Sequence, residues 1–287
     1  MTEPNPGPGP QGPVYAPESG LSLFVKLFLI PAGIVLVALG IFFLGTLALQ
    51  HPKSAEQYLQ ELKSDSTSRR WQAAYELSRM LNQGEKVQFD ENLQGELVKT
   101  FQGAAQDDPR IREYLALVLG RLKVKGAVPA LCSALKDESV DVKVYSLWAI
   151  GNIEDPSGGA SVLSALSDPD LGVRRMAVGA LSALRYAPAK SALGSLLKDE
   201  NAGLRYDSAV ALARLKDEKA LPVLKQMMDL KPTGKPEDDE MVQSAKLAAI
   251  EGFKAMPDAS LRGKVVDLSK NDPDLKVREA ALDALKK

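Results

Sequence analysis

The chain has 287 residues, enough for a large folded body, and its 36 basic residues nearly balance its 37 acidic residues. A nucleic-acid-binding protein usually carries a basic excess or a basic stripe, so this balance argues against a nucleic-acid partner. The single cysteine, Cys132, cannot form an intrachain disulfide. Together with the single histidine, His51, it leaves almost no soft ligands for a zinc or iron site. We therefore expect no metal and no cofactor, and we expect His51 to be an interfacial residue rather than a ligand or a base.

The first 20 residues hold six prolines and four glycines. Such a segment cannot bury enough apolar surface to offset its ordering entropy, so residues 1–20 are predicted to be a disordered tail. A ligand for a proline-reading domain is the alternative, but no basic residue flanks the prolines.

Residues 27–49 carry no charge. A helix of this length reaches about 34 Å, enough to cross a hydrocarbon core of about 30 Å. We predict one transmembrane helix within residues 21–50. A cleaved signal peptide is the alternative, but its apolar region would be shorter and would follow a basic start. Here the preceding tail contains Glu3 and Glu18, and no convincing cleavage site follows.

The orientation of this span is signalled only by its flanking charges. Slightly more Lys and Arg residues follow the span than precede it, which favours a cytoplasmic location for the rest of the chain. The opposite orientation stays open because Lys26 directly precedes the apolar residues.

Residues 51–287 repeat one pattern seven times: a helix-capping residue, a basic residue four positions later, and a stripe of small and leucine side chains. The central steps are 31 residues each, and the flanking steps are 42, 41 and 32. A fixed period of this size predicts a solenoid, in which each unit buries its apolar face against its neighbours. The seven basic residues are Arg70, Arg112, Lys143, Arg174, Arg205, Lys246 and Arg278.

The same register places suitable N-cap residues at six of the seven helix starts, the exception being Val242. A shorter apolar stretch precedes each of these helices, so each unit is predicted to be two antiparallel helices joined by an acidic turn. The predicted fold is all-α: a right-handed α-solenoid of about seven helix pairs after one transmembrane helix. Residues 82–88 and 231–240 are predicted to be loops. The acidic run 237–240 is interpreted as solvated rather than as a site for a cation or basic partner. The six caps are Ser66, Asp108, Ser139, Asp170, Asn201 and Asp274.

Five segments of this pattern resemble the HEAT family, and in particular the short HEAT-like repeats of phycobilisome bilin lyases. The resemblance implies the solenoid fold over most of residues 51–287 but leaves function open, because such repeats serve as scaffolds, adaptors, lyase subunits and hydroxylases. The segments are 107–122 (DDPRIREYLALVLGRL), 137–153, 167–184, 199–215 and 271–286.

The resemblance raises two enzymatic possibilities. Deoxyhypusine hydroxylases of similar build need several His-Glu pairs to hold iron, and this sequence has none. Bilin lyases are soluble, whereas this chain carries an apolar span and no residues that we can assign to bilin binding. We therefore expect a non-catalytic protein, and a lyase-like enzyme or accessory subunit remains the alternative.

The second helix of each pair carries a candidate binding surface on the side away from its core stripe. Aromatic and arginine side chains dominate protein interfaces, so we predict a shallow partner-binding groove with Arg79, Arg121 and Arg214 at its edge. The alternative is that neighbouring repeats cover these side chains. The predicted groove residues are Trp71, Tyr75, Tyr114, Tyr145, Trp148, Arg175 and Tyr206.

Two further features are interpreted as structural. The seven basic residues of the repeat, which we call the basic ladder, are expected to pair with acids of their own or the adjacent turn rather than to bind a ligand. Cys132 lies on an apolar helix face and is expected to be a small buried hydrophobic residue. The leading functional hypothesis is a membrane-anchored, non-catalytic scaffold or adaptor for another protein, and a purely structural spacer is a further alternative.

Overall fold

The computed structural model describes residues 21, 24–49, 53–83 and 90–286. The predicted tail, His51 and most of the predicted loop 82–88 lie outside these residues. The described residues form helices and no strands, as predicted. The chain divides into two compact units, Met1–Lys53 and Ser54–Lys287.

The N-terminal unit contains one long apolar helix. Helix α1 spans Ile30–Leu49 and follows a π-helical turn at Val25–Leu29. Pro31 lies two residues after this π-helical turn, inside a continuous helical segment, where its missing N–H interrupts the backbone hydrogen bonds. The window Val25–Leu44 is long and apolar enough to cross a membrane, and none of it is buried. A signal sequence would meet the same criteria of length and composition.

Fourteen helices of the described C-terminal unit form seven pairs, which confirms the predicted number of repeats. The first helices of the pairs are α2 (Ala55–Glu61), α4 (Glu91–Gly103), α6 (Val128–Ala134), α8 (Gly159–Ser164), α10 (Lys190–Leu196), α12 (Leu221–Met228) and α14 (Ala259–Asn271). The second helices are α3 (Thr67–Asn82), α5 (Pro109–Arg121), α7 (Val140–Ile153), α9 (Leu171–Ala183), α11 (Ala202–Arg214), α13 (Pro236–Ala255) and α15 (Leu275–Leu285).

The second helices pack side by side in chain order, from α3 against α5 to α13 against α15. The residue four positions after each basic residue shows how complete this packing is. In each of the first six repeats this residue has almost no exposed surface, because the next repeat covers it. The repeats therefore share one continuous interior. These six residues are Ala74, Ala116, Leu147, Val178, Ala209 and Ile250.

The acidic turns cap the second helices through two linked side chains. In the third repeat, Asp137 Oδ1 accepts the Ser139 N–H at 2.9 Å, and Ser139 Oγ accepts the Val142 N–H at 3.3 Å. The same arrangement recurs before α9, α11 and α15. Ser66 occupies the predicted N-cap of α3 without a side-chain capping bond.

The predicted loop 231–240 is wrong over its second half, because α13 already begins at Pro236. Proline is well tolerated at a helix start, and the acidic side chains in the first turn of α13 interact favourably with the helix dipole. The side chain of Asp239 also accepts the N–H groups of Thr233 at 2.7 Å and Gly234 at 3.3 Å, which fixes the entry of the chain. Val242 therefore lies inside α13 rather than at its N-cap.

Candidate protein-binding surface

Five of the predicted aromatic residues lie on three adjacent second helices, α3, α5 and α7, and we call them the aromatic strip. The rings of Tyr75 and Tyr114 meet across a repeat boundary with centroids 5.3 Å apart and planes at 70°. This edge-to-face arrangement is a favourable aromatic contact. Tyr75 is 40% exposed, and the other four rings are partly exposed. The strip comprises Trp71, Tyr75, Tyr114, Tyr145 and Trp148.

The two tryptophans of the strip are held by glycine and arginine. A Cβ atom at Gly120 would lie 2.8 Å from Trp148 Cζ3, so this ring packs directly on the backbone of α5. The Arg121 guanidinium carbon lies 5.8 Å from the Trp148 ring centroid, and that of Arg110 lies 4.3 Å from the Trp71 centroid. Both distances allow cation–π attraction. The rings are thus fixed in place while one side of each stays partly open.

The remaining predicted residues form a smaller group on α9 and α11. Arg175 Nε donates to Asp207 Oδ2 at 2.6 Å, and the Arg205 guanidinium carbon lies 5.9 Å from the Tyr206 ring centroid. Arg175 therefore has an acidic partner inside the domain, which the sequence interpretation did not foresee. The predicted edge arginines are partnered as well: Arg79 with Glu76, Arg121 with Asn82 and Arg214 with Ser182.

Sequence reasoning missed an acidic side chain beside the strip. Burial raises the pKa of the Glu113 carboxyl, and the negative charges of Asp141 and Asp108 raise it further, against the opposing effect of Arg110 and Arg112. Glu113 directly precedes Tyr114, which would have been the only available signal. Glu113 directly follows the basic residue of its repeat, as Trp71 does in the first repeat, and burial together with the charge of Glu113 raises the pKa of the Tyr114 hydroxyl.

The basic ladder makes contacts within the domain, and four of its seven members pair with acids as predicted. Arg70 holds Asp107 of the next repeat through two bonds, from Nε at 2.7 Å and from Nη2 at 2.8 Å. These bonds keep the pKa of the Asp107 carboxyl below its usual value. Three other basic residues reach the acid of the next repeat in the same way: Arg112 to Asp137, Lys143 to Asp168 and Lys246 to Asp272. Arg174, Arg205 and Arg278 instead donate to backbone carbonyls of their own turns.

The described part of the chain contains no cluster of three or more His, Cys, Asp or Glu side chains that could hold a metal. A cavity of about 650 Å³ lies at the turns of the second and third repeats and includes Arg112 and Asp137 in its lining. These two side chains already pair with each other. Burial raises the pKa of the Cys132 thiol, which is half-buried rather than fully buried, so it is poorly suited to act as a nucleophile.

Comparisons with known proteins agree with this architecture. Residues 159–235 match the profile of HEAT repeats, and residues 123–153 match that of armadillo/beta-catenin-like repeats. No curated protein matches the chain in sequence.

Two solved structures share the fold at low identity. The complex of CpcE and CpcF of phycocyanin lyase from Nostoc sp. PCC7120 is 16% identical, with 82% of this chain and 88% of that chain covered and a TM-score of 0.57. The Escherichia coli protein YibA is 18% identical, with 81% of each chain covered and a TM-score of 0.54. Segments of this chain thus match HEAT and armadillo repeats, and its described C-terminal unit is a helical solenoid similar in fold to these two structures.

Proposed function

We propose that this protein is a membrane-anchored, non-catalytic scaffold that binds another protein through the aromatic strip. The observation that supports this most directly is the strip itself: five partly exposed rings on three successive helices, four of which make contacts across a repeat boundary. Rigid aromatic side chains provide large contact areas at low entropic cost and dominate interface energies. In this proposal, Arg175 and Tyr206 extend the groove onto α9 and α11.

The proposal places the repeat domain at a membrane through residues 27–49, on the cytoplasmic side. The length and composition of α1 support anchoring, and the flanking Lys and Arg residues support the orientation. No role for nucleic acid is proposed, because the charge is balanced overall.

The test compares partner capture by three forms of the tagged full chain from detergent-solubilised membranes. Replacing Tyr145 and Trp148 together by alanine is expected to lower recovery of the bound protein about thirtyfold, because two central anchors are lost. Val140→Ala is the matched control, since Val140 lies on the same helix, is 40% exposed and is outside the strip. Mass spectrometry identifies the captured protein, and circular dichroism checks the fold.

Equal recovery by all three folded forms would refute the strip as a binding surface. If the double variant loses helicity, Tyr75→Ala replaces it, because Tyr75 is the most exposed ring of the strip. Covalent transfer of a bilin by the purified chain would contradict the non-catalytic part of the proposal.

A further inference from the structure

Helix α15 carries apolar side chains that no described residue covers. The residue four positions after the basic residue is buried in the six preceding repeats, but in the seventh it is Leu282, which is 50% exposed. Leu275 lies seven residues earlier, on the same face of α15, and is 58% exposed. This face of α15 is therefore equivalent to the faces through which the six preceding repeats pack on their neighbours, and no described residue covers it.

The first repeat is built differently. The residue directly before the basic residue is apolar and buried in repeats two to seven, from Ile111 to Val277. In the first repeat this residue is Arg69, which is exposed, as is Gln72 on the next turn. A polar outer face is what a terminal repeat needs for solubility. If copies stacked head to tail, Leu282 would pack on the polar face of the first repeat. The apolar face of α15 is therefore complementary only to the same face of another copy.

The charges around Leu282 are self-complementary. Glu279 precedes Leu282 by three residues and Lys286 follows it by four, so both flank it on one face. Both are exposed, and neither makes an ion pair within the part of the chain that the structure describes. If two α15 helices lie antiparallel about a two-fold axis at Leu282, Glu279 of each copy meets Lys286 of the other. A parallel pair would bring like charges together.

We propose that α15 is a self-association surface through which two copies of this chain pair as antiparallel helices, with Leu282 at the two-fold axis. Such an isologous contact uses the same patch on both copies. The contact is only one helix wide, so its area falls below the about 1,200 Å² of stable interfaces. We therefore expect a weak dimer, for which covalent trapping is the appropriate measurement.

The experiment uses cysteine cross-linking of the detergent-solubilised full chain. Cys132→Ser first removes the native thiol. Leu282→Cys then places two thiols at the axis, within the about 4.4–6.8 Å between Cα atoms that a disulfide requires. Leu275→Cys is the matched control: it is more exposed, but seven residues from the axis it lies about 21 Å along the helix from its counterpart.

Oxidation is expected to give about tenfold more disulfide-linked dimer from Leu282→Cys than from Leu275→Cys. Adding Glu279→Lys to the Leu282→Cys chain should abolish the dimer, and adding Lys286→Glu as well should restore it. Equal cross-linking at both positions, no cross-linking at position 282, or insensitivity of the yield to Glu279→Lys would overturn the proposal. Because none of these changes touches the aromatic strip, the result does not depend on whether the strip binds a protein.

Discussion

At the scale of single residues, the most deeply buried charges of the solenoid hold one repeat to the next. Lys246 and Asp272 are only 3% and 6% exposed, and Lys246 Nζ lies 2.5 Å from Asp272 Oδ2. The other oxygen of Asp272 accepts the Asp274 N–H at 3.0 Å. Both carboxylate oxygens are thus used, one in the link between repeats and one in the turn. A buried carboxylate with these two roles tolerates the loss of its cation poorly.

Lys246→Met is expected to lower the free energy of unfolding by about 3 kcal/mol, because it leaves the Asp272 charge buried without its partner. Lys254→Met provides the comparison, since Lys254 bridges to Glu251 and Asp283 near solvent and its replacement should cost much less. Urea denaturation followed by circular dichroism measures both. Similar losses for the two variants would show that burial does not distinguish these ion pairs.

The residue pairing of the ladder was only partly predictable. The repeating register indicated that each basic residue would meet acid in its own or the adjacent turn, and Arg70 does reach Asp107 of the next repeat. Arg174, at the equivalent position, instead donates to the backbone carbonyls of Asp168 and Pro169. Several acceptors lie within reach of such a long side chain, so local packing decides among them, and one sequence does not contain that choice.

At the scale of helices, glycine marks where second helices approach closely, but only at some positions. A Cβ atom at Gly120 in α5 would lie 2.8 Å from Ala149 Cα in α7, which is closer than real Cβ contacts. Gly179, in the middle of α9, has nothing within 4 Å of the same position. The two glycines thus have different reasons to be present: the first allows helix packing, and the second only weakens its helix.

This difference predicts opposite effects for one substitution. Gly120→Ala should destabilise the protein by about 1–3 kcal/mol, because α5 and α7 must separate and Trp148 must move. Gly179→Ala should stabilise it by about 0.5–1 kcal/mol, because alanine is the better helix former and meets no neighbour. Thermal unfolding of both variants checks the signs. Destabilisation of the Gly179→Ala variant would mean that this side of α9 is covered.

The ends of the helices were harder to predict than their existence. Four junctions, spaced 31 residues apart, place a charged residue in the left-handed conformation that usually favours glycine. Because none of these residues is glycine, the usual signal for the end of a helix is missing there, although apolar periodicity located the helices themselves. The start of α13 was missed for the opposite reason: its prolines and acids resemble a loop in composition but suit a helix start. The four residues and their φ angles are Lys123 (51°), Glu154 (60°), Arg185 (49°) and Lys216 (57°).

At the scale of the whole molecule, the solenoid was predictable because its contacts are local in sequence. Each repeat touches only its neighbours, so a period in the sequence translates directly into a stack of helix pairs. The candidate surface was less predictable, because its properties arise between repeats. The register placed Tyr75 and Tyr114 on the helix side away from the core stripe, but the contact between their rings and the pairing of Arg175 with Asp207 depend on how adjacent helices align.

Helix α1 could be a membrane anchor or a cleaved signal sequence. The two possibilities predict different mature chains. If α1 is an anchor, the protein in the membrane fraction should resist alkaline extraction and keep residues 1–49 in its intact mass. Val37→Arg, near the middle of the span, should shift part of the protein out of that fraction, because a central arginine costs about 2.5–3.5 kcal/mol on insertion. Val140→Arg, in the separate C-terminal unit, should leave the fraction unchanged. A mature chain that starts after residue 49 would identify the helix as a signal sequence, and the repeat domain would then act without an anchor.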